Sequence, residues 1–256
     1  MILTMDIGNT NIKIGLFAGE KLANYWRLAT KRSYTSDELG VLITNLFMNK
    51  GVALSEVKGI MLSSVVPTVN FTVDHMCRDY FGITPVFVMP GIKTGIVIKY
   101  ENPRELGSDR ICNAVATYAL YGGPSIFIDF GTATTFGVVD KSGAFLGGCI
   151  CPGIKLTSEA IVSGTAKLPH FELVTPEHVI GKTTVANLQS GLIFGYVGQV
   201  NYLISRMRAE LKAPDARVIA TGGFSRLIAT ESRMIDHIDG TLTLTGLRMI
   251  YDKNFS

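Results

Sequence analysis

The chain begins with two apolar runs that flank a short polar turn. Ile2, Leu3 and Met5 precede the turn, and every second position from Ile12 to Leu16 is apolar after it. Alternation with a period of two is typical of strands that bury one face. The pattern therefore predicts a β-hairpin over residues 1–17 with a polar Asp-Gly-Asn tip.

A helical pattern follows in the next part of the chain. Thr35 and Glu38 have the spacing of a capping box, and Gly51 marks the end of the segment. Between them the apolar residues recur at i, i+3, i+4, i+7 and i+8, which predicts one buried stripe on a helix. These residues are Leu39, Leu42, Ile43, Leu46 and Phe47.

The pattern then predicts a strand–helix–strand unit. Short apolar runs at residues 60–66 and 85–89 flank a helical stretch that begins at Pro67 and ends before Gly82. A further helix is predicted over residues 107–121, ending at two glycines and leading into a strand from Ser125. Strands that alternate with helices favour a parallel sheet and an α/β fold.

One frame occurs twice. Met5–Thr10 and Ile128–Ala133 both read apolar, Asp, apolar, Gly, polar, small, and they lie 123 residues apart. This self-similarity predicts a duplication, with one lobe over residues 1–117 and a second over 118–256. In the second half we expect strands at 143–150 and 217–220, helices at 153–163 and 184–211, and more helices in the last forty residues.

Composition restricts the class of protein. The 256 residues are 47% hydrophobic and 18% charged, with a formal charge of +3, so a folded core is expected and a nucleic-acid partner is not. Asp6 and Asn9 interrupt the N-terminal apolar segment, which disfavours a signal peptide, and no apolar run is long enough for a membrane span. The four cysteines form no CxxC pair. We expect a cytoplasmic protein.

The repeated aspartate turn has a chemical interpretation. A glycine after a buried strand lets backbone N–H groups approach phosphate oxygens, and the carboxylate remains available for Mg²⁺. An ordinary hairpin turn explains the first copy equally well. Two copies facing one cleft favour the binding of a polyphosphate between lobes. Neither GxxxxGK[ST] nor a GxGxxG after a strand is present.

Two further segments carry candidate chemistry. Asp109 and Arg110 lie in the first turn of the predicted 107–121 helix, where an acidic residue compensates the helix dipole but an arginine does not. Arg110 could pair with a substrate carboxylate while Asp109 accepts a hydroxyl proton. The glycine turn Gly222-Gly223 is either an adenosine contact or a plain helix-start loop.

Four motifs together resemble those of the type III pantothenate kinases. They are the segments 6–15, 107–110, 128–135 and 147–153. The resemblance spans the chain and implies two duplicated ribonuclease H-like (actin-like ATPase) domains with a nucleotide cleft between them. It also implies ATP with Mg²⁺, a monovalent cation (K⁺ or NH₄⁺), pantothenate as substrate and a homodimer.

The resemblance assigns roles to positions of this chain. Asp109 would be the proton acceptor, Asp129 would hold the monovalent cation and Thr132 would lie by the phosphates. The predicted ATP turn comprises Asp6, Ile7, Gly8, Asn9, Thr10, Asn11, Ile12 and Lys13. The predicted pantothenate residues are Tyr100, Gly107, Ser108, Asp109, Arg110 and Thr184.

The leading hypothesis is ATP-dependent phosphorylation of pantothenate, the first step of coenzyme A biosynthesis. A non-catalytic nucleotide-binding transcriptional accessory factor on the same scaffold is the first alternative, which the small net charge disfavours. Another small-molecule kinase or phosphohydrolase of the same superfamily is the second. It would differ only around Tyr100 and Arg110.

Overall fold

The computed structural model describes residues 1–255 and divides them into two compact units. The first comprises Met1–Gly95, Glu101–Ala116 and the residues from Leu242 onward, and the second comprises Ile96–Tyr100 and Thr117–Thr241. The sequence placed the last helix in the second lobe, whereas its contacts place it in the first unit. The division of the chain into lobes over residues 1–117 and 118–256 stays a prediction.

The first unit contains a five-stranded sheet. Its strands are β1 (Ile2–Ile7), β2 (Asn11–Ala18), β3 (Lys21–Ala29), β4 (Gly59–Ser64) and β5 (Val86–Phe87). They lie in the order β3-β2-β1-β4-β5, with β1, β2 and β3 antiparallel and β4 and β5 parallel to β1. The two strands of the predicted hairpin are therefore the middle strand, β1, and its neighbour β2.

Helices cover both faces of this sheet. They are α1 (Ser36–Met48), α2 (Pro67–Phe81), the first part of α3 (Ser108–Tyr121) and α7 (Leu242–Phe255). Odd-numbered residues of β1 pack with α1 and α2 in one apolar cluster. On the other face, a Cβ added at Gly15 would lie 2.9 Å from Thr4 Oγ1 and 3.1 Å from Leu244 Cδ1, so α7 covers that face closely.

The second unit contains a sheet of the same design. Its strands are β6 (Ser125–Phe130), β7 (Ala133–Val139), β8 (Phe145–Pro152), β9 (Arg217–Thr221) and β10 (His237–Ile238). Their order is β10-β9-β6-β7-β8, in which β6, β7 and β8 are antiparallel and β9 and β10 run parallel to β6. Starting from β8, the order β8-β7-β6-β9-β10 matches β3-β2-β1-β4-β5 of the first sheet strand by strand. This match confirms the duplicated fold.

The remaining helices belong to the second unit. They are α4 (Ile154–Ser163), α5 (Thr184–Leu211) and α6 (Ser225–Glu231). Residues of α4, α5 and α6 pack with β6, β7 and β9 in a second apolar cluster. The bounds of α5 confirm the predicted helix over residues 184–211. Thr183 caps its first turn by accepting the N–H of Ala186 at 3.1 Å.

Candidate active site

The first predicted phosphate turn joins β1 to β2. The Gly8 N–H donates to the Asn11 carbonyl at 3.0 Å, and the Thr30 hydroxyl donates to the Gly8 carbonyl at 2.7 Å, which fixes the turn from two sides. Asn9 and Thr10 are exposed at its tip. The tip therefore presents short polar groups to solvent, while its base is held by Thr30, the residue after β3.

Charged groups lie at the base of this turn. Asp6 is 6% exposed, and its Oδ2 lies 3.3 Å from the Nζ of Lys13, the residue opposite it on β2. Ile7 and Ile12 are fully buried in the apolar cluster, so their side chains cannot touch a ligand and only their backbone groups could. The turn thus offers one carboxylate and one ammonium group beside exposed backbone.

The carboxyl end of β4 lies next to this turn. Asp6 and Ser63 are register partners in the parallel pair of β1 and β4. The hydroxyl oxygens of Ser63 and Ser108 are 2.9 Å apart, and the Ser64 N–H donates to Ser108 Oγ at 3.1 Å. The start of α3 is therefore joined to the strand beside β1.

Asp109 and Arg110 follow in the first turn of α3. Asp109 Oδ1 accepts the backbone N–H of Arg110 at 2.8 Å, and Arg110 is 6% exposed. A Cβ added at Gly107 would lie 2.5 Å from Asp109 Oδ1, so a side chain at position 107 would displace the carboxylate. Glycine at this position preserves the orientation of Asp109.

Asp6 and Asp109 are linked through two serines, because Ser63 is the register partner of Asp6 and contacts Ser108, the residue before Asp109. Burial raises the pKa of the Cys112 thiol well above its ordinary value, and the charges of Asp6 and Asp109 raise this pKa further. Both carboxylates therefore act on one buried group one turn into α3. The first unit brings the predicted phosphate turn and the predicted proton acceptor to the same end of its sheet.

Asp129 occupies the equivalent strand end in the second unit. It is 8% exposed, and its Oδ1 is buried with no hydrogen-bond partner. The residues opposite it, Thr135 on β7 and Thr221 on β9, also have buried hydroxyl oxygens without a partner. Buried oxygens without hydrogen-bond partners are expected where an ion or a water molecule binds. The three oxygens here belong to register partners on neighbouring strands, and they fit an oxygen-liganded cation.

The other predicted residues lie in the second unit. Thr132 is exposed in the turn between β6 and β7, and Thr184 is exposed in the first turn of α5. The Tyr100 ring centroid lies 6.3 Å from that of Phe145. The predicted pantothenate residues are thus distributed between the two units, with 107–110 in the first and Tyr100 and Thr184 in the second.

Sequence reasoning missed Ser63, Thr135 and Thr221. For Ser63 and Thr221 the available signal was their position near the carboxyl ends of β4 and β9, since in open α/β sheets ligands bind at such ends. Thr135 lies near the start of β7, within the motif 128–135. Within residues 1–255 no group of three His, Cys, Asp or Glu side chains could hold a metal ion, and no described helix is long and apolar enough to cross a membrane.

Comparison with known proteins identifies the family. The family model for type III pantothenate kinase matches residues 2–206. A type III pantothenate kinase from Geobacillus kaustophilus (strain HTA426) is 50% identical over 254 residues, which cover 99% of this chain and 98% of that protein. This chain belongs to the type III pantothenate kinase family. The resemblance found in the sequence motifs is confirmed, and the chain is a pantothenate kinase.

Solved structures confirm the fold of this pantothenate kinase. A conserved Baf family protein from Campylobacter jejuni is similar with a TM-score of 0.62 at 20% identity, and the match covers 98% of each chain. The inorganic polyphosphate/ATP-glucomannokinase of Arthrobacter sp. strain KM is similar with a TM-score of 0.52 at 14% identity, covering 98% of this chain and 97% of that one. Together with the two matching sheets, these similarities confirm the duplicated actin-like architecture.

Proposed function

We propose that this chain transfers the terminal phosphoryl group of ATP to the primary hydroxyl of pantothenate, giving 4′-phosphopantothenate and ADP, the first step of coenzyme A biosynthesis. Membership of the type III pantothenate kinase family supports this activity. The observation that carries its placement is the contact of Ser63, the register partner of Asp6, with Ser108, which precedes Asp109. A phosphate turn and a proton acceptor must lie close together for transfer. The transcriptional alternative is not favoured.

The turn from Asp6 to Lys13 binds the phosphates of ATP in this proposal. Its exposed backbone N–H groups and the Lys13 ammonium approach the phosphate oxygens. Thr132 is the phosphate contact proposed for the second turn. One carboxylate fits Mg²⁺, which keeps several waters and takes further ligands from phosphates, so Asp6 would hold it through water. Bound Mg²⁺ supplies neutralisation of the charge that develops on the phosphates.

Asp109 accepts the proton of the attacking hydroxyl. Phosphoryl transfer passes through a loose transition state, so the base needs correct placement more than strong basicity. Arg110 pairs with the pantothenate carboxylate and holds the substrate in register, as a planar guanidinium does well. The residues proposed to bind pantothenate are Tyr100, the segment 107–110 and Thr184.

Asp129 holds a monovalent cation, K⁺ or NH₄⁺. The unpartnered buried oxygens of Asp129, Thr135 and Thr221 support this assignment. Gly222, at φ +90°, supports it as well, because a Cβ there would lie 2.5 Å from Asp129 Oδ1 and displace the carboxylate. The cation would supply fixed positive charge beside the turn that carries Thr132.

We also propose a cytoplasmic homodimer. A groove of about 520 Å³ lies between α4 and α5, with Leu188, Leu192 and Ile161 among its lining residues. At Gly191 and Gly195, which also line it, an added Cβ would meet nothing within 4 Å, so a second chain could approach α5 closely. The free thiols of the four cysteines support a reducing compartment.

The test of the activity is ADP release by the purified chain with Mg-ATP. We expect ADP to appear only when pantothenate is present, at a rate that rises with K⁺. Sugars and other alcohols serve as acceptor controls, since a kinase of another specificity would use one of them instead. Nucleotide binding in calorimetry without ADP release from any acceptor would contradict the proposal and support a regulatory role.

A further inference from the structure

Two serine side chains join β4 to the start of α3. Ser63 is fully buried, and its Oγ lies 2.9 Å from Ser108 Oγ. Ser108 Oγ also accepts the Ser64 N–H at 3.1 Å and lies 3.4 Å from the Ser64 carbonyl oxygen, to which it can donate weakly. When Ser63 donates to Ser108, every one of these groups is satisfied. The hydroxyl of Ser108 therefore has all its partners within β4.

The position of this pair matters for the reaction. Ser63 is the register partner of Asp6, and Ser108 directly precedes Asp109. The contact thus connects the strand beside the phosphate turn to the helix turn that carries the proposed base. Neither hydroxyl is needed to bury apolar surface, and a simple alanine at either position would leave the backbone pairing of β1 and β4 intact.

We propose that Ser63 is a positioning residue for phosphoryl transfer, which acts through Ser108 on the placement of Asp109. The Ser108 hydroxyl, whose partners all lie in β4, serves the reaction through this contact, so a contact of Ser108 with pantothenate would be made by its backbone. The inference rests on the proposed function. Its physical basis is that an in-line transfer is sensitive to displacements of the catalytic group by a fraction of an ångström.

The test is a double-mutant cycle with steady-state kinetics. Ser63→Ala and Ser108→Ala should each lower kcat by about tenfold. Displacement of a catalytic group by 1 Å costs on the order of 10²-fold, and loss of this contact should displace Asp109 by only a fraction of that distance. The KM for pantothenate should stay within about twofold in both variants, and the double variant should be no slower than the slower single, because both substitutions remove one shared contact.

Ser125→Ala is the matched control. The Ser125 hydroxyl is also buried and donates to the Gly122 carbonyl at 2.6 Å, at the opposite end of its strand from Asp129. This variant should lose similar thermal stability and keep its kcat. Ser63→Thr, which retains the hydroxyl, should keep most of the wild-type kcat. If Ser63→Ala does not fold, the kcat and pantothenate KM of Ser108→Ala, which removes the same contact from its other side, decide the inference.

Several results would overturn the inference. They are a wild-type kcat for Ser63→Ala, a raised pantothenate KM with unchanged kcat for Ser108→Ala, additive losses in the double variant, or kcat losses that follow melting temperature in all variants including Ser125→Ala. Absence of pantothenate-dependent ADP release by the wild-type chain would instead overturn the proposed function, before any variant is compared.

Discussion

At the scale of single residues, the site depends on carboxylates whose surroundings differ. Asp109 accepts a backbone N–H, and Gly107, two residues before it, leaves room for its carboxylate. Asp6 has an ammonium partner in Lys13. Asp129 has a buried oxygen without a hydrogen bond. These surroundings agree with the three tasks proposed for the carboxylates: accepting a proton, holding Mg²⁺ through water and binding a monovalent cation.

Replacing Asp109 tests its role as the base. Asp109→Asn keeps the acceptor for the Arg110 N–H but cannot take a proton, so kcat for ADP release should fall by about 10²- to 10⁴-fold. Nucleotide binding measured by calorimetry should be unchanged. Asp74→Asn, on the exposed side of α2, is the control and should turn over as the wild type does. A near-wild-type rate for Asp109→Asn would exclude it as the base.

The cation assignment is tested at Thr221. Thr221→Val keeps the shape of the side chain but removes one buried oxygen opposite Asp129. We expect half-activation to need on the order of tenfold more K⁺, because loss of one supporting group typically weakens a metal site by that amount. Thr117→Val, which removes another unpartnered buried hydroxyl, should leave the K⁺ dependence unchanged. ADP release is measured against KCl at constant ionic strength.

At the scale of elements, local signals predicted the helices well. The capping box of Thr35 and Glu38 is present, with the Glu38 N–H donating to Thr35 Oγ1 at 3.1 Å, and Gly82 ends α2 in the left-handed region at φ 66°. Both signals consist of contacts between near neighbours in the chain. They can therefore be read from the sequence without knowledge of the tertiary structure.

The missed elements were strands that carry little apolar signal. In β3, Trp26 is the only buried side chain, because β3 lies at the edge of its sheet. β10 contains two exposed residues. In the site, Asp6 and Asp109 were predicted from local motifs. The contact between Ser63 and Ser108 joins residues 45 positions apart and depends on how the start of α3 packs against β4. Such long-range packing leaves no local pattern in the sequence.

The turn between β7 and β8 makes stability depend on pH. Asp140 Oδ1 accepts from the Ser142 hydroxyl at 2.7 Å, the Ser142 N–H at 2.8 Å and the Ala144 N–H at 3.0 Å, and Lys99 Nζ lies 3.1 Å from Oδ2. The Ser142 hydroxyl, the Ala144 N–H and Lys99 hold the pKa of Asp140 well below its ordinary value.

Because the pKa of Asp140 is lowered in the folded state, its carboxylate stabilises the fold at pH values above the unfolded pKa of about 3.9. This stabilisation is lost as the pH falls through the pKa of the folded state. Asp140→Asn should therefore have a lower melting temperature than the wild type at pH 7, and this difference should shrink below about pH 4. Melting followed by circular dichroism between pH 2.5 and 7 measures it. A difference independent of pH would show that the charge of Asp140 does not stabilise the turn.

At the scale of the whole molecule, the dimer proposal makes a clear prediction. Sedimentation should give a mass of twice 27.7 kDa for the wild-type chain. Gly195→Lys places a charged side chain in the groove between α4 and α5 and should give a monomer. Gly240→Lys, at another site where an added Cβ has open space, should remain a dimer. A wild-type monomer at micromolar concentration would exclude the proposed interface.

The return of α7 to the first unit has a consequence for biosynthesis of the protein. A chain leaves the ribosome from its N-terminus, so β1 to β5 are complete long before Leu242 is made. Until then, the sheet face that bears Thr4 and Gly15 lacks the helix that covers it, and this apolar layer can close only after α7 has been synthesised. The unit that holds Asp6 and Asp109 is therefore the first to be synthesised and the last to be finished.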